Sequence, residues 1–163
     1  MTETLMELMI KYNAFLVPTI TAGKEVAEKA KIKGFYPAIV VPKALAVGPQ
    51  IQGTFAKAYK KGVGIAFGTD AGVFKHGQNG KEFGFMVAAG MPAMETIQSA
   101  TITNAMLLQM EQKIGQIQKG FFADIIAVDE DPIKNISTME NVVFVMKEGL
   151  IFKNQDKEVL RDY

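Results

Sequence analysis

Gly62-Val63-Gly64-Ile65-Ala66-Phe67-Gly68-Thr69-Asp70-Ala71-Gly72 decides how this chain is read. Val63–Phe67 is short, continuously apolar and bounded by glycines, the pattern of a strand buried on both faces. Such strands occur in parallel sheets covered by helices. Asp70 follows the strand and has glycine two residues to either side, where backbone or ligand can approach closely. In parallel α/β architectures ligands meet the carboxyl ends of strands. Asp70 is therefore a candidate catalytic residue, although the same position also suits a carboxylate that caps a turn or the next helix.

The flanking segments alternate in the way a parallel fold requires. Upstream, Thr4 and Glu7 have capping-box spacing, and Leu5, Leu8, Met9 and Tyr12 fall on one helical face that Asn13 ends. Ala14–Val17 reads as another buried strand closed by Pro18, and Thr19–Gly23 as a strand end or loop. Thr19 and Thr21 then face the same mouth as Asp70 or satisfy local backbone groups. Lys24–Lys33 is helix-prone with Gly34 as a stop. Pro37 and Pro42 argue against one helix across residues 35–48, and Pro49 suits a first helical position. Ile51, Phe55 and Tyr59 then share a face down to Gly62.

Downstream, Val73 to Gly80 is a loop, Glu82–Ala89 an apolar helix stopped by Gly90, and Ala93–Met110 a further helix. Beyond about residue 113 the texture turns to short strands, at Ile114–Ile117 and Asp124–Val128, with a turn at Asp131-Pro132. Asn141–Lys153 reads as a hairpin around Lys147-Glu148-Gly149, and the charged end Asn154–Tyr163 is expected to fray. The expected organisation is an α/β part over residues 1–112 and a β segment over 113–163.

Composition bounds the function. The 163 residues are 48% hydrophobic and 21% charged, a globular composition, but too few for a complete (β/α)₈ barrel of roughly 250 residues. Eighteen Lys+Arg against seventeen Asp+Glu leave a net charge of +1, with no basic excess to suit nucleic acid or an anionic membrane. No secretory leader or membrane-spanning run is evident, so a cytoplasmic protein is expected. There is no Cys and a single His, His76, in the stretch Lys75–Gly80. A catalytic zinc usually takes three protein ligands, so a self-contained site is not expected. Gly62-x-Gly64 lacks the third glycine and following helix of a dinucleotide fingerprint. The ten Met residues sit mostly at apolar helical positions and read as core.

Residues Gly62 to Phe74, with His76-Gly77 and Asn79, resemble the last barrel strand and loop of the amidohydrolase superfamily. The branch they resemble is that of the imidazolonepropionase-related and prolidase-like (Xaa-Pro dipeptidase-type) metal hydrolases. The likeness continues through Glu82-Phe83, Met86-Val87, Ala89-Gly90-Met91, Ala100-Thr101, Asn104-Ala105 and Leu107-Leu108. It runs on through Ile114-Gly115, Gly120, Ala123-Asp124, Asp131-Pro132 and Val145–Gly149, covering about residues 50–153 well and the first 25 loosely.

The resemblance implies the C-terminal part of a (β/α)₈ barrel, strands seven (Phe15–Thr19) and eight, with a small β-sandwich completed by the last strands. It implies a divalent metal, zinc by preference, contacted by Asp70. Asp70 would act as general base and then as proton donor to the leaving group. His76 and Asn79 would lie near a small amide or dipeptide substrate. The family's His-x-His pair, its carboxylated Lys and its further His residues have no counterpart here. Lys75 stands where the branch usually has Pro, and Phe121-Phe122 replaces a Lys-containing pair. On these grounds the chain alone is expected to hold zinc weakly and to hydrolyse nothing. Its unpaired strand edges are expected to favour self-association or a missing N-terminal part. The alternatives are a non-catalytic stand-alone module and one half of a split hydrolase.

Overall fold

The computed structural model describes residues 1–155. The elements run α1 (Glu3–Lys11), β1 (Phe15–Leu16), α2 (Ile20–Ala30), α3 (Val41–Lys61), β2 (Gly64–Ile65), α4 (Lys81–Ala88), α5 (Ala93–Ala100) and α6 (Ile102–Leu107). They are followed by β3 (Ile125–Val128), a 3₁₀ helix (Ile136–Glu140), β4 (Val142–Lys147) and β5 (Leu150–Asn154). The result is a mixed α/β arrangement. β1 and β2 pair in parallel, with Phe15 opposite Gly64 and Leu16 opposite Ile65. Their carboxyl ends therefore point the same way, and Ala66 N–H donates to Leu16 C=O at 3.0 Å to extend the pairing. The core lies behind them, where Phe55 of α3 meets Ile20, Ile65, Met86 and Met91.

Several helix boundaries differ from the sequence reading. The N-cap of α1 is Thr2, whose hydroxyl accepts from Leu5 N–H at 3.3 Å, not Thr4. Glu7 instead reaches across to Lys61 on α3 at 3.2 Å. α3 begins at Val41 and runs unbroken, with Pro42 in its first turn, where a missing N–H costs nothing. Pro49 lies inside that helix rather than at its start. Pro49 and Leu45, whose carbonyl loses its donor, are both exposed, so solvent is at hand to replace the bond. The preceding Gly48 lets α3 approach α2 closely: a Cβ there would lie 3.2 Å from Gly23 O and 3.3 Å from Lys24 Cα.

The helix expected over Ala93–Met110 is two helices. Thr101 breaks it at φ −119° and ψ −93°, with its hydroxyl donating to Ile97 C=O at 2.9 Å. The strand expected over Ile114–Ile117 is instead a run of bends with no ladder partner among the described residues. Gly115, at φ +86°, packs there so tightly that a Cβ would lie 2.8 Å from Thr101 O.

β3, β4 and β5 form an antiparallel sheet in that order. Glu148 and Gly149, at φ 51° and 83°, make the tight turn of the β4–β5 hairpin. Asp124 holds that turn from the side, accepting from Lys147 Nζ and Glu148 N–H, each at 2.8 Å. The Ala123-Asp124 pair is thus a clasp for a hairpin. None of the residues in these three strands is buried. The expected fraying falls mainly on residues 156–163, outside the described residues.

Gly80 joins the two regions. A Cβ there would run into the Met139 carbonyl oxygen and lie 2.8 Å from Glu140 Cα. Its φ of −59° suits any residue, so contact alone demands glycine. Gly80→Ala is expected to cost about 1–3 kcal/mol, the usual range for overpacking. Urea unfolding measures it; an unchanged midpoint would mean that the 3₁₀ helix moves away freely.

Candidate active site

Asp70 stands five residues beyond β2, exposed, with its backbone in the left-handed region at φ 55°. The strand end leading to it is fixed from below. The Asn104 side chain forms two bonds with Phe67: its Nδ2 donates to Phe67 C=O and its Oδ1 accepts from Phe67 N–H, both at 3.0 Å. The amide imitates a neighbouring strand. The kink at Thr101 separates α6, which carries Asn104, from α5.

Beyond Asp70 the loop folds back on itself. Val73 N–H donates to Asp70 C=O at 3.3 Å, and Asn79 Nδ2 donates to the Thr69 hydroxyl at 3.1 Å. Asn79 is thereby brought beside the residue that precedes Asp70. His76 sits at the exposed corner of a turn closed by Gln78 N–H on Lys75 C=O, with Gly77 at φ 89°. Among the described residues no hydrogen bond joins His76 to Asp70 or Asn79.

The sequence reading missed Glu82. Its side chain is fully buried and holds the start of α2. Oε1 accepts from Ile20 N–H at 2.8 Å, and Oε2 accepts from Thr21 N–H at 2.7 Å and from the Thr21 hydroxyl at 2.6 Å. This anchor explains why α2 begins at Ile20, inside the segment expected to be loop. It also accounts for Thr19, a β-branched residue at φ 48°, which such tethering can hold in a costly conformation. Thr21 faces Glu82 and not the mouth. Apart from its place in the family likeness, the signal was an acidic residue in a first helical turn, which usually marks nothing more than a favourable helix dipole.

Burial pushes the Glu82 carboxyl above its ordinary value, against the three hydrogen bonds that favour the ionised form. The folded chain therefore holds this proton more tightly than the unfolded chain. The stability so gained is full below the unfolded pKa and is lost as pH rises through the folded one. Wild type is expected to gain on Glu82→Gln as pH falls from neutrality into the carboxylate range. Urea midpoints of both proteins across that range check it; a constant difference would refute it.

A groove of about 530 Å³ runs between α2, α3 and α4, lined by Lys24, Gln52, Lys81 and Phe85 among others. Asp70 does not line it. Its carboxylates are occupied, Glu25 by Lys29 at 3.4 Å and Glu28 by Lys31 at 2.6 Å.

Among the described residues no three His, Cys, Asp or Glu side chains come together as a metal site requires. Asp70 is one carboxylate donor, against the three protein ligands of a catalytic zinc. The residues of this chain do not by themselves fit the metal.

The sequence profile of the amidohydrolase family matches residues 3–151. The chain belongs to the amidohydrolase family. It is similar to a crystal structure of a Xaa-Pro dipeptidase with bound methionine, at 58% identity and a TM-score of 0.90. That match covers 94% of this chain and 38% of the other. A prolidase complexed with N-methylphosphonate-L-proline matches at 26% identity and a TM-score of 0.82, over 94% of this chain and 38% of that one. The ochratoxinase of Aspergillus niger is 35% identical over 101 residues, 59% of this chain and 21% of its own length. This amidohydrolase chain thus spans well under half of each of these relatives. Among its described residues no helix is long and apolar enough to cross a membrane.

Proposed function

We propose that this chain is the C-terminal part of a metal-dependent hydrolase that cleaves the C–N bond of a dipeptide or cyclic amide, with Asp70 as its proton carrier. The observation that carries the reading is Asp70 itself, exposed at the carboxyl end of one of two parallel strands. Its likeness to a Xaa-Pro dipeptidase supports the substrate class. Residues 1–112 would supply the last two strands of a barrel, and residues 113–163 part of a β-sandwich.

In this reading Asp70 accepts a proton from the attacking water as the hydroxyl adds to the carbonyl carbon. It returns that proton to the amide nitrogen as the C–N bond breaks, so the carboxylate is regenerated. His76 and Asn79 lie on the loop that would border the substrate. Asp70 would be one donor to a divalent metal, zinc by preference, whose Lewis acidity would assist this reaction, on a donor set this chain does not complete alone. The protein is proposed to work in the cytoplasm, without nucleic acid or membrane partners.

The decisive experiment grafts this chain in place of the corresponding part of the 58% identical Xaa-Pro dipeptidase. Hydrolysis of Xaa-Pro dipeptides by the folded chimera is the expected result. A folded, metal-loaded chimera without activity would favour a non-catalytic module.

The chain alone is expected to be inactive and to self-associate. Among the described residues β1 and β2 each have one strand neighbour, Val17 is 41% exposed beside them, and the antiparallel sheet buries no strand residue. Open edges and uncovered apolar faces invite pairing with another chain. Sedimentation at several concentrations tests this, and a sharp monomer at high micromolar concentration would overturn it.

A further inference from the structure

We propose that Glu82 is a positioning residue for Asp70, tying the exit of β1 to the exit of β2 so that the Asp70 loop keeps one geometry. The inference rests on the proposed catalytic role of Asp70 and deepens it. Two chain segments leave the carboxyl ends of the parallel pair: Val17–Thr19 runs into α2, and Ala66–Asp70 runs into the loop that ends at α4. Neither strand is long enough to align these exits, since the pairing is two residues deep.

Side chains do the aligning. Glu82, second residue of α4, grips the first two residues of α2 through three bonds of 2.6 to 2.8 Å. Its own helix starts where the Asp70 loop ends, so the grip fixes the far end of that loop. A second tie fixes its near end. Lys29, further along α2, donates from Nζ to Val73 C=O at 2.7 Å. Val73 N–H is in turn bonded to Asp70 C=O at 3.3 Å.

The loop bearing Asp70 is thus held to a single helix at both ends. The three hydrogen bonds of the Glu82 carboxylate all go to Ile20 and Thr21 and none to Asp70, so its part is positional. A carboxylate is the suitable group, because Oε2 must accept from an N–H and a hydroxyl together while Oε1 accepts from another N–H. A glutamine places an NH₂ against one of these donors. Displacing a general base by an ångström can cost on the order of 10²-fold in rate.

The test uses the chimera with the Xaa-Pro dipeptidase, assayed well below its melting temperature, with activity expressed per folded molecule. Glu82→Gln is expected to lower kcat about 10- to 100-fold with KM within about twofold, since the substrate contacts are untouched. Lys29→Met, a change at a partly exposed side chain, is expected to lower kcat less, and in the same direction. In an Asp70→Asn background Glu82→Gln is expected to cost nothing further, because it acts through Asp70. A kcat per folded molecule within twofold of wild type in both single variants would overturn the inference, and so would a full additional loss in the double variant. Should Glu82→Gln not fold, Lys29→Met alone decides. An inactive parent chimera would instead strike the proposed function.

Discussion

Asp70→Asn, placed in the active chimera, is expected to lower kcat by about 10²–10⁴-fold while leaving the melting temperature unchanged. The first half follows from chemistry. Asn has the shape of Asp but cannot accept the water's proton, and losing a general base typically costs that much. The second half follows from the structure. Asp70 is exposed, and the hydrogen bond that ties it into its loop uses its backbone carbonyl, not its side chain. Its φ of 55° is a conformation that Asn adopts as readily as Asp, so the substitution adds no backbone strain. Metal content must be measured alongside, because a lost ligand also lowers the rate. A variant that keeps more than about a tenth of the wild-type kcat, with normal metal content, would assign Asp70 a structural role.

The strand and loop that carry Asp70 are legible in the sequence and the side chains that hold them are not, for a physical reason. Val63–Phe67 and the Asp that follows belong to one short stretch, so apolar continuity and glycine boundaries suffice to place them. The β4–β5 hairpin is legible for the same reason, as two apolar runs around Glu148-Gly149. The support is written in pairs far apart in the chain. Glu82 meets Ile20 across 62 positions, and Asn104 meets Phe67 across 37. No periodicity within a helix announces such partners. Asn104 lies on α6, which is set apart from α5 at Thr101.

No single helix crosses residues 35–48, as Pro37 and Pro42 suggested, since α3 starts at Val41; only the placement of Pro49 at a helix start fails, for a different reason. Pro37 and Pro42 lower the odds of a helix in general, but Pro42 falls where its missing N–H has no intrahelical partner to lose. Pro49 is tolerated where the abandoned carbonyl belongs to an exposed residue. Both outcomes depend on where the helix starts and which side of it is covered. Tertiary packing sets those features, here the close approach of Gly48 to α2.

Phe55→Ala is expected to destabilise the fold by about 3–5 kcal/mol, the usual cost of removing a buried aromatic ring. Phe55 is fully buried and belongs to one core cluster with Ile20 at the start of α2, Ile65 of β2, Met86 of α4 and Met91. Its ring also stacks on Tyr59, with centroids 6.3 Å apart. Ile20 and Met86, its fully buried neighbours, cannot both collapse into the space, because Ile20 is tethered through its N–H to Glu82. A cavity therefore remains, and the cost sits towards the upper end of the range. Small domains hold only about 5–15 kcal/mol, so the loss removes a large part of the whole. Urea unfolding at one fixed protein concentration measures it, because any self-association couples stability to concentration. Phe55→Leu, which keeps most of the volume, is expected to cost much less. A cost below about 1 kcal/mol for Phe55→Ala would mean that the core relaxes around the gap. The helices would then not be fixed against β2 by this ring, and Glu82 would be gripping a helix free to shift. The effects of Phe55→Ala and Asp70→Asn must therefore separate cleanly, the first acting on stability and the second on turnover. If Phe55→Ala lowered kcat per folded molecule as far as Asp70→Asn does, the core itself would be holding the site, and the two side-chain ties made by Glu82 and Lys29 would be secondary to it.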